Sequence, residues 1–280
     1  MLLHTVDTGY FKLDGGAMFG VVPKSLWQSL NPADNNNMCT WAMRCLLIED
    51  GNKLILIDTG LGEKYDAKFA KHFQPHGDIT LCSAIHKLGY AIEDISDVVL
   101  THLHFDHCGG ATHYNSEGMV VPSFPNATYW THSRHWQWAL QPNAREKASF
   151  LKENLLPIQE SGQLMFIDTD IFSASESLTF DIVNGHTECM IIPHIHYKGK
   201  TITYAADLIP SRHHVRMPYV MAYDIRPLET LKEKESLLND AFANNHILFL
   251  EHDKDVACCT LAQNDNGIYF DNANTLEYFL

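Results

Sequence analysis

"VLTHLHFDHCGG", residues 99–110, is the stretch on which the reading of this chain turns. Three histidines (His102, His104, His107) and one carboxylate (Asp106) follow an apolar run that reads as a buried strand. Side chains alternate along an extended backbone, so His102 and His104 point the same way and can face one ion. The turn behind them brings Asp106 and His107 to the same mouth, and Gly109-Gly110 lets the chain bend where a larger residue would collide. Imidazole nitrogen binds zinc at about 2.0–2.1 Å, and a carboxylate neutralises its charge.

One catalytic ion that must also hold water has no use for four ligands from a single loop. Two ions about 3.5–4 Å apart do, provided the rest of the chain adds more. It offers His186 in "NGHTECM", Asp207 at the end of "KTITYAAD" and His252 at the end of "HILFLEHD", each where a strand meets a loop. Alone, each of the three reads as a structural histidine or a turn aspartate. Beside the HxHxDH cluster they complete a dinuclear set. Competing donors are weaker: "HIH" (194–196) sits mid-strand beside Pro193 with no carboxylate close behind. "RHH" (212–214) reads as a pocket lining or a solvated loop, and Cys108 and Cys189 are thiols adjoining proposed ligands.

Composition limits the rest. The chain has 280 residues, 45% hydrophobic and 11% aromatic, with no low-complexity block, as in a folded globular protein. A formal charge of −14 repels phosphate backbones and anionic membranes, so nucleic acid and membrane are not expected partners. The start, "MLLHTVDTGYFKLDGG", lacks the basic and apolar regions of a secretion signal, and a cytoplasmic protein is expected. Seven cysteines without paired spacing argue against a disulfide framework. Cys39, Cys45, Cys82, Cys258 and Cys259 are read as reduced, mostly buried thiols.

Strand patterns and helical patterns interleave. "RCLLIED" and "KLILID" around Gly51-Asn52 read as a hairpin; further strands are expected at 97–102, 127–132, 164–169, 190–197, 200–207 and 246–253. Helices are expected at 79–89, with Gly89 as the stop, and at 227–245. "KLILIDTG" and "KTITYAAD" look alike, which suggests two β-rich halves. The expectation is an α/β fold of four layers, αβ/βα, in one domain spanning residues 1–280.

With these motifs in view, the chain resembles the metallo-β-lactamase superfamily. "KLDGGAMFGVVPKSLW", "LIDTGLG", "THLHFDHCGG", "GHTE", "ADLIP" and "VMAYD" look like its quorum-quenching lactonase-like branch. The resemblance implies that His102, His104 and His186 hold one ion, that Asp106, His107 and His252 hold the other, and that Asp207 bridges them. Zinc is the first choice, with manganese, iron or cobalt as alternatives. It also implies that Asp58 of "LIDTG" orients the ligand loop. Lactonases matched best at the HxHxDH loop carry a tyrosine three residues after the bridging aspartate, where this chain has Pro210; Tyr219 or Tyr223 is the candidate substitute.

The expected activity is hydrolysis of an ester-like bond in a small molecule, with a lactone such as an N-acyl homoserine lactone first. Phosphotriesters or aryl esters are the enzymatic alternative, and a non-catalytic metal-binding protein is a further one. Asp106 is expected to serve as both ligand and proton carrier. Phe19, Met217, Tyr219 and Tyr223 are candidate walls for an acyl chain. A homodimer is left open.

Overall fold

The computed structural model describes residues 1–168 and 172–280. Strands β1 (Leu2–Asp14), β2 (Met38–Asp50) and β3 (Lys53–Ile57) form an antiparallel meander, and β2 turns into β3 through Gly51-Asn52 with Asp50 opposite Lys53. β4 (Asp97–Val99) adds in parallel to β3. β5 (Thr112–Tyr114) and β6 (Val120–Pro122) make a separate small hairpin. β7 (Thr128–Thr131) and β8 (Leu164–Phe166) complete a sheet of order β1-β2-β3-β4-β7-β8. The strand expected at 164–169 thus ends at Phe166, and Thr169 lies outside the described residues.

β9 (Leu178–Val183), β10 (Met190–Tyr197), β11 (Lys200–Tyr204), β12 (Ile247–Phe249), β13 (Cys258–Asn264) and β14 (Gly267–Asn274) form the second sheet, in the order β14-β13-β12-β11-β10-β9. β11 and β12 run parallel. Between strands lie α1 (Gly15–Phe19), α2 (Lys24–Trp27), α3 (Ala67–Phe73), α4 (Leu81–Lys87), α5 (Phe105–Cys108), α6 (Ser133–Leu140), α7 (Lys152–Glu160) and α8 (Pro227–Ala243), with α9 (Leu276–Phe279) at the end. Gly89, at φ 93°, follows α4 as expected of a stop residue. Among the described residues no helix is long and apolar enough to cross a membrane.

Period-two alternation explains the layering. Leu46 and Ile48 of β2 and Ile55 and Ile57 of β3 point into a core shared with Ile191, Ile195, Ile202 and Tyr204 of the second sheet and with Leu237, Leu238 and Ala241 of α8. Their neighbours Cys45, Leu47, Leu54 and Leu56 point the other way, onto Ile85, Trp136, Leu155 and Ile158 of α4, α6 and α7. The result is the four-layer αβ/βα sandwich. A third cluster, Phe11, Phe19, Trp27, Trp41, Phe105 and Met221 among others, sits beside the ligand loop.

Among the strands missed in the sequence are β1, β13 and β14. β1 shifts register between Asp7 and Tyr10, and that bulge breaks the alternation that would have revealed it. β13 and β14 carry mixed, half-exposed patterns with a similar shift after Cys259. Of the cysteines, all free, Cys82 is exposed and the other six are buried.

Candidate metal centre

The topology gathers the site. β3 and β4 are parallel neighbours, so the loops after their C-terminal ends, carrying Asp58 and the histidine cluster, lie together. β11 and β12 do the same for Asp207 and His252 in the other sheet. His186 comes from the connection between β9 and β10. The loops interlock: Ile191 N donates to Thr101 O at 2.9 Å, Arg44 N to Glu251 O at 3.1 Å, and Ala42 N to His252 O at 3.3 Å. Arg44 Nη1 also donates to the carbonyls of Leu250, Asp253 and Val256, tying down the loop that bears His252.

Gly109 and Gly110 serve close approach more than bending. Gly109 has ordinary helical angles, but a Cβ there would lie 2.1 Å from Leu61 O, and one on Gly110 2.3 Å from Thr59 O. Ala206, at φ 42°, and Asp58, at φ 57°, hold the left-handed conformation that side chains resist, a strain of about 1–3 kcal/mol each that turns their loops toward the site.

Seven side chains expected as ligands meet at one point, in two buried groups. In the first, His186 Nε2 lies 3.1 Å from His104 Nδ1 and 3.2 Å from Asp207 Oδ2, which is 3.9 Å from His102 Nε2. In the second, His252 Nε2 lies 3.2 Å from His107 Nε2, 3.6 Å from Asp106 Oδ2 and 3.0 Å from Asp207 Oδ1; His107 Nε2 is 3.6 Å from Asp207 Oδ1. Asp207 thus gives one oxygen to each group. A tetrahedral ion with bonds of about 2.0–2.1 Å separates its ligand atoms by roughly 3.3–3.4 Å, within the spread of these distances.

Proton accounting shows that these residues fit a cation. His186 Nδ1 faces Asp224 Oδ1 at 2.8 Å, His107 Nδ1 faces Asp58 Oδ2 at 3.1 Å and Glu251 Oε2 at 3.0 Å, and His252 Nδ1 faces Ala42 O at 2.7 Å. Each partner only accepts when the carboxylates are ionised, so in the neutral ring the proton sits on that nitrogen and the other presents a lone pair inward. Lone pairs about 3 Å apart repel unless positive charge lies between them. Among the described residues His102 Nε2 is buried without a hydrogen-bond partner, which an ion would supply. Burial, with His107, His104 and His186 beside it, pushes His102 well below the usual histidine range.

The supporting shell was only partly foreseen. Asp58 Oδ1 accepts from Thr101 N at 2.8 Å and Oδ2 from Thr101 Oγ1 at 2.7 Å, besides facing His107. Asp224, Glu146, Glu251 and His135 were missed. Asp224 stood inside the quoted "VMAYD", whereas "NAREKAS" around Glu146 carries no signal. His135 Nε2 accepts from Leu103 N at 2.9 Å and its Nδ1 faces Glu188 O at 2.5 Å, pinning both ligand loops; burial pushes this ring down to about 3, so it stays neutral.

The competing donors fall elsewhere. His194 pairs with Asp181 and Thr203 away from the site, and His214 is buried against Ser211 and Met18 O. Burial pushes the Cys108 thiol up to about 12, and its Sγ donates to Leu103 O. Of the wall candidates, Phe19 is wholly buried between Trp27 and His214 and offers no face to a ligand, which corrects its expected role. Tyr219 is buried too and Met217 packs against the core. Tyr223 remains 39% exposed, and burial together with Asp14, Asp106 and Asp207 raises its phenol.

Comparison with known proteins agrees with this geometry. The model of the metallo-beta-lactamase superfamily matches residues 44–252, three-quarters of the chain. The chain belongs to the metallo-beta-lactamase superfamily. Within this superfamily it is 26% identical over 163 residues to an N-acyl homoserine lactonase of Bacillus cereus, covering 55% of this chain and 57% of that relative. The match thus spans little more than half the length of the curated relative. A crystal structure of a probable metal-dependent hydrolase from Staphylococcus aureus superposes with a TM-score of 0.88 at 26% identity, covering 98% of this chain and 96% of that one. AidC, a dizinc quorum-quenching lactonase in complex with a product, superposes with a TM-score of 0.79 over 96% of this chain and 93% of that one; at 20% identity it shares the fold. The chain thus joins membership of this superfamily to buried His/Asp clusters that could hold divalent metal.

Proposed function

We propose that residues 1–280 form one dinuclear zinc hydrolase that opens the ring ester of a lactone, with N-acyl homoserine lactones as the first substrate class. The observation that carries this reading is the division of Asp207, with Oδ2 among His102, His104 and His186 and Oδ1 among His107 and His252. The lactonase relative and the likeness to AidC support the substrate class. His102, His104 and His186 would hold one ion, Asp106, His107 and His252 the other, and Asp207 both.

Ions there would polarise a carbonyl oxygen and lower the pKa of bound water to roughly 7. The chain supplies the remainder. Asp58, Asp224 and the Ala42 carbonyl keep the imidazoles in the binding tautomer. Asp106, like His104 and Asp207, is 7% exposed against 0–1% for His102, His107, His186 and His252, so its carboxylate keeps some access to solvent. There it can take a proton and hand it to the leaving alkoxide. Tyr223 sits at the same opening and can donate its phenolic hydrogen to a substrate oxygen.

A second reading, phosphotriester or aryl ester hydrolysis, is favoured by Pro210, which is buried and engaged through its carbonyl by His252 N at 3.0 Å. The test is proton release at constant pH from zinc-loaded protein given N-acyl homoserine lactones of several chain lengths, with Asp207→Ala as control. Ring opening that depends on Asp207 supports the lactonase reading. Its absence, from protein that holds two ions and turns over phosphotriesters or aryl esters, selects the second.

A further inference from the structure

We propose that Glu146 is a positioning residue for the first donor group, holding His104 and the His186 loop through one carboxylate; the proposal rests on the metal-binding reading of the site. Glu146 lies in the connection between α6 and α7 and is 3% exposed. Oε1 accepts from Thr187 Oγ1 at 2.5 Å and lies 3.4 Å from His104 Nε2. Oε2 accepts from Trp138 Nε1 at 2.8 Å and from Asn143 Nδ2. One side chain therefore touches a ligand, His104, and the residue next to a second ligand, His186.

Burying an ionised carboxylate costs several kcal/mol unless hydrogen bonds surround it, so its presence here calls for a reason. An amide has one oxygen, so it could serve Trp138 and Asn143 on one side or Thr187 on the other, but not both as the carboxylate does. His104 would not be served equally well: a carboxylate 3.4 Å from Nε2 favours the proton on that nitrogen, which leaves the Nδ1 lone pair toward His186 Nε2, 3.1 Å away. An amide can rotate and offer its NH2 group instead, which would reverse that tautomer. Thr187, Trp138 and Asn143 converge on the two oxygens of Glu146, and hydrogen bonds of that kind favour the ionised carboxylate.

The neighbouring residue extends the grip. Arg145 donates through Nη2 to the carbonyls of Ala222 and Asp224, the latter the residue that holds His186 Nδ1. Two consecutive residues of one turn thus reach the supports of two first-group histidines. The second group, His107 and His252, is held by Asp58, Glu251 and Ala42 O without any contribution from this turn.

The test is zinc release from the full-length holoprotein to a chromophoric chelator, for wild type, Glu146→Gln and Thr187→Val, with His186→Ala identifying the step that belongs to the first group. Glu146→Gln is expected to weaken that step by roughly 10–100-fold while the other step stays in place. Thr187→Val, which removes one donor to the same carboxylate, is expected to shift the same step by less. A first-group step that does not move, or two steps that move together, overturns the proposal. So does a lowered melting temperature of metal-free Glu146→Gln with unchanged zinc release, since that is what a purely structural role gives. If wild type releases a single ion, the dinuclear reading fails on its own account. Glu146 is then judged on that one step: a shift retains its role, and no shift removes it.

Discussion

His186 Nδ1 and Asp224 Oδ1 lie 2.8 Å apart with both side chains 1% exposed. The contact fixes ring orientation and tautomer together, because water has no access to replace a lost partner. Asp224→Ala should therefore weaken metal affinity by roughly 10–100-fold, while the apo protein still folds. Chelator competition on the purified variant checks this, and wild-type affinity would show that packing alone aims the ring.

Asp207 divides its oxygens between both donor groups, so its loss should be felt by both. Asp207→Ala is expected to lower zinc content and to cut hydrolysis by more than about 100-fold, since removing a ligand exceeds the usual effect of removing its support. Metal analysis alongside turnover decides it; full turnover at unchanged zinc content would sink the bridging role.

Lys234 is fully buried on α8, and its Nζ donates to Arg216 O at 2.7 Å, Tyr219 O at 3.0 Å and Met217 O at 3.4 Å. Lys234→Met keeps the stem but strands these carbonyls. A loss of about 2–4 kcal/mol in unfolding free energy is expected, read from urea midpoints. A change below about 0.5 kcal/mol, the scale of an ordinary surface substitution, would contradict it.

His214 gives the fold a signature in acid. Burial pushes it from 6.5 down to about 3, with Nε2 donating to Met18 O. Above pH 6.5 the ring is neutral folded or unfolded and adds nothing. As pH falls below 6.5 the unfolded chain takes a proton that the folded one refuses, so stability drops by about 1.4 kcal/mol per pH unit until about pH 3. His214→Gln should show a shallower decline across that window; parallel curves for the two proteins would refute the assignment.

The sequence disclosed the candidate ligands more readily than the side chains behind them. His102, His104, Asp106 and His107 sit in one loop, where local spacing is the signal, and His186, Asp207 and His252 stand at strand ends that the apolar runs announce. Asp224 and Glu146 reach the site from irregular connections, and His135 from a helix whose sequence offers no local hint. Their roles exist only once the loops have folded over one another. Phe19 shows the opposite failure: an aromatic in an apolar stretch reads equally well as pocket wall or core, and only the stack with Trp27 and His214 decides for core.

The segment from Asp207 to Asp224 leaves the second sheet, crosses to α1, where Ala222 N donates to Ala17 O at 2.8 Å, and returns to His186. Its two ends are fixed by the metal centre. The middle is held by the aromatic cluster, by Lys234, by Arg145 at the Ala222 carbonyl and by Arg212 against Asp253 and Asp255. Changes accumulating between the ends can reshape the entrance while the chemistry stays intact, so descendants of this protein can acquire new substrates without first losing their metals.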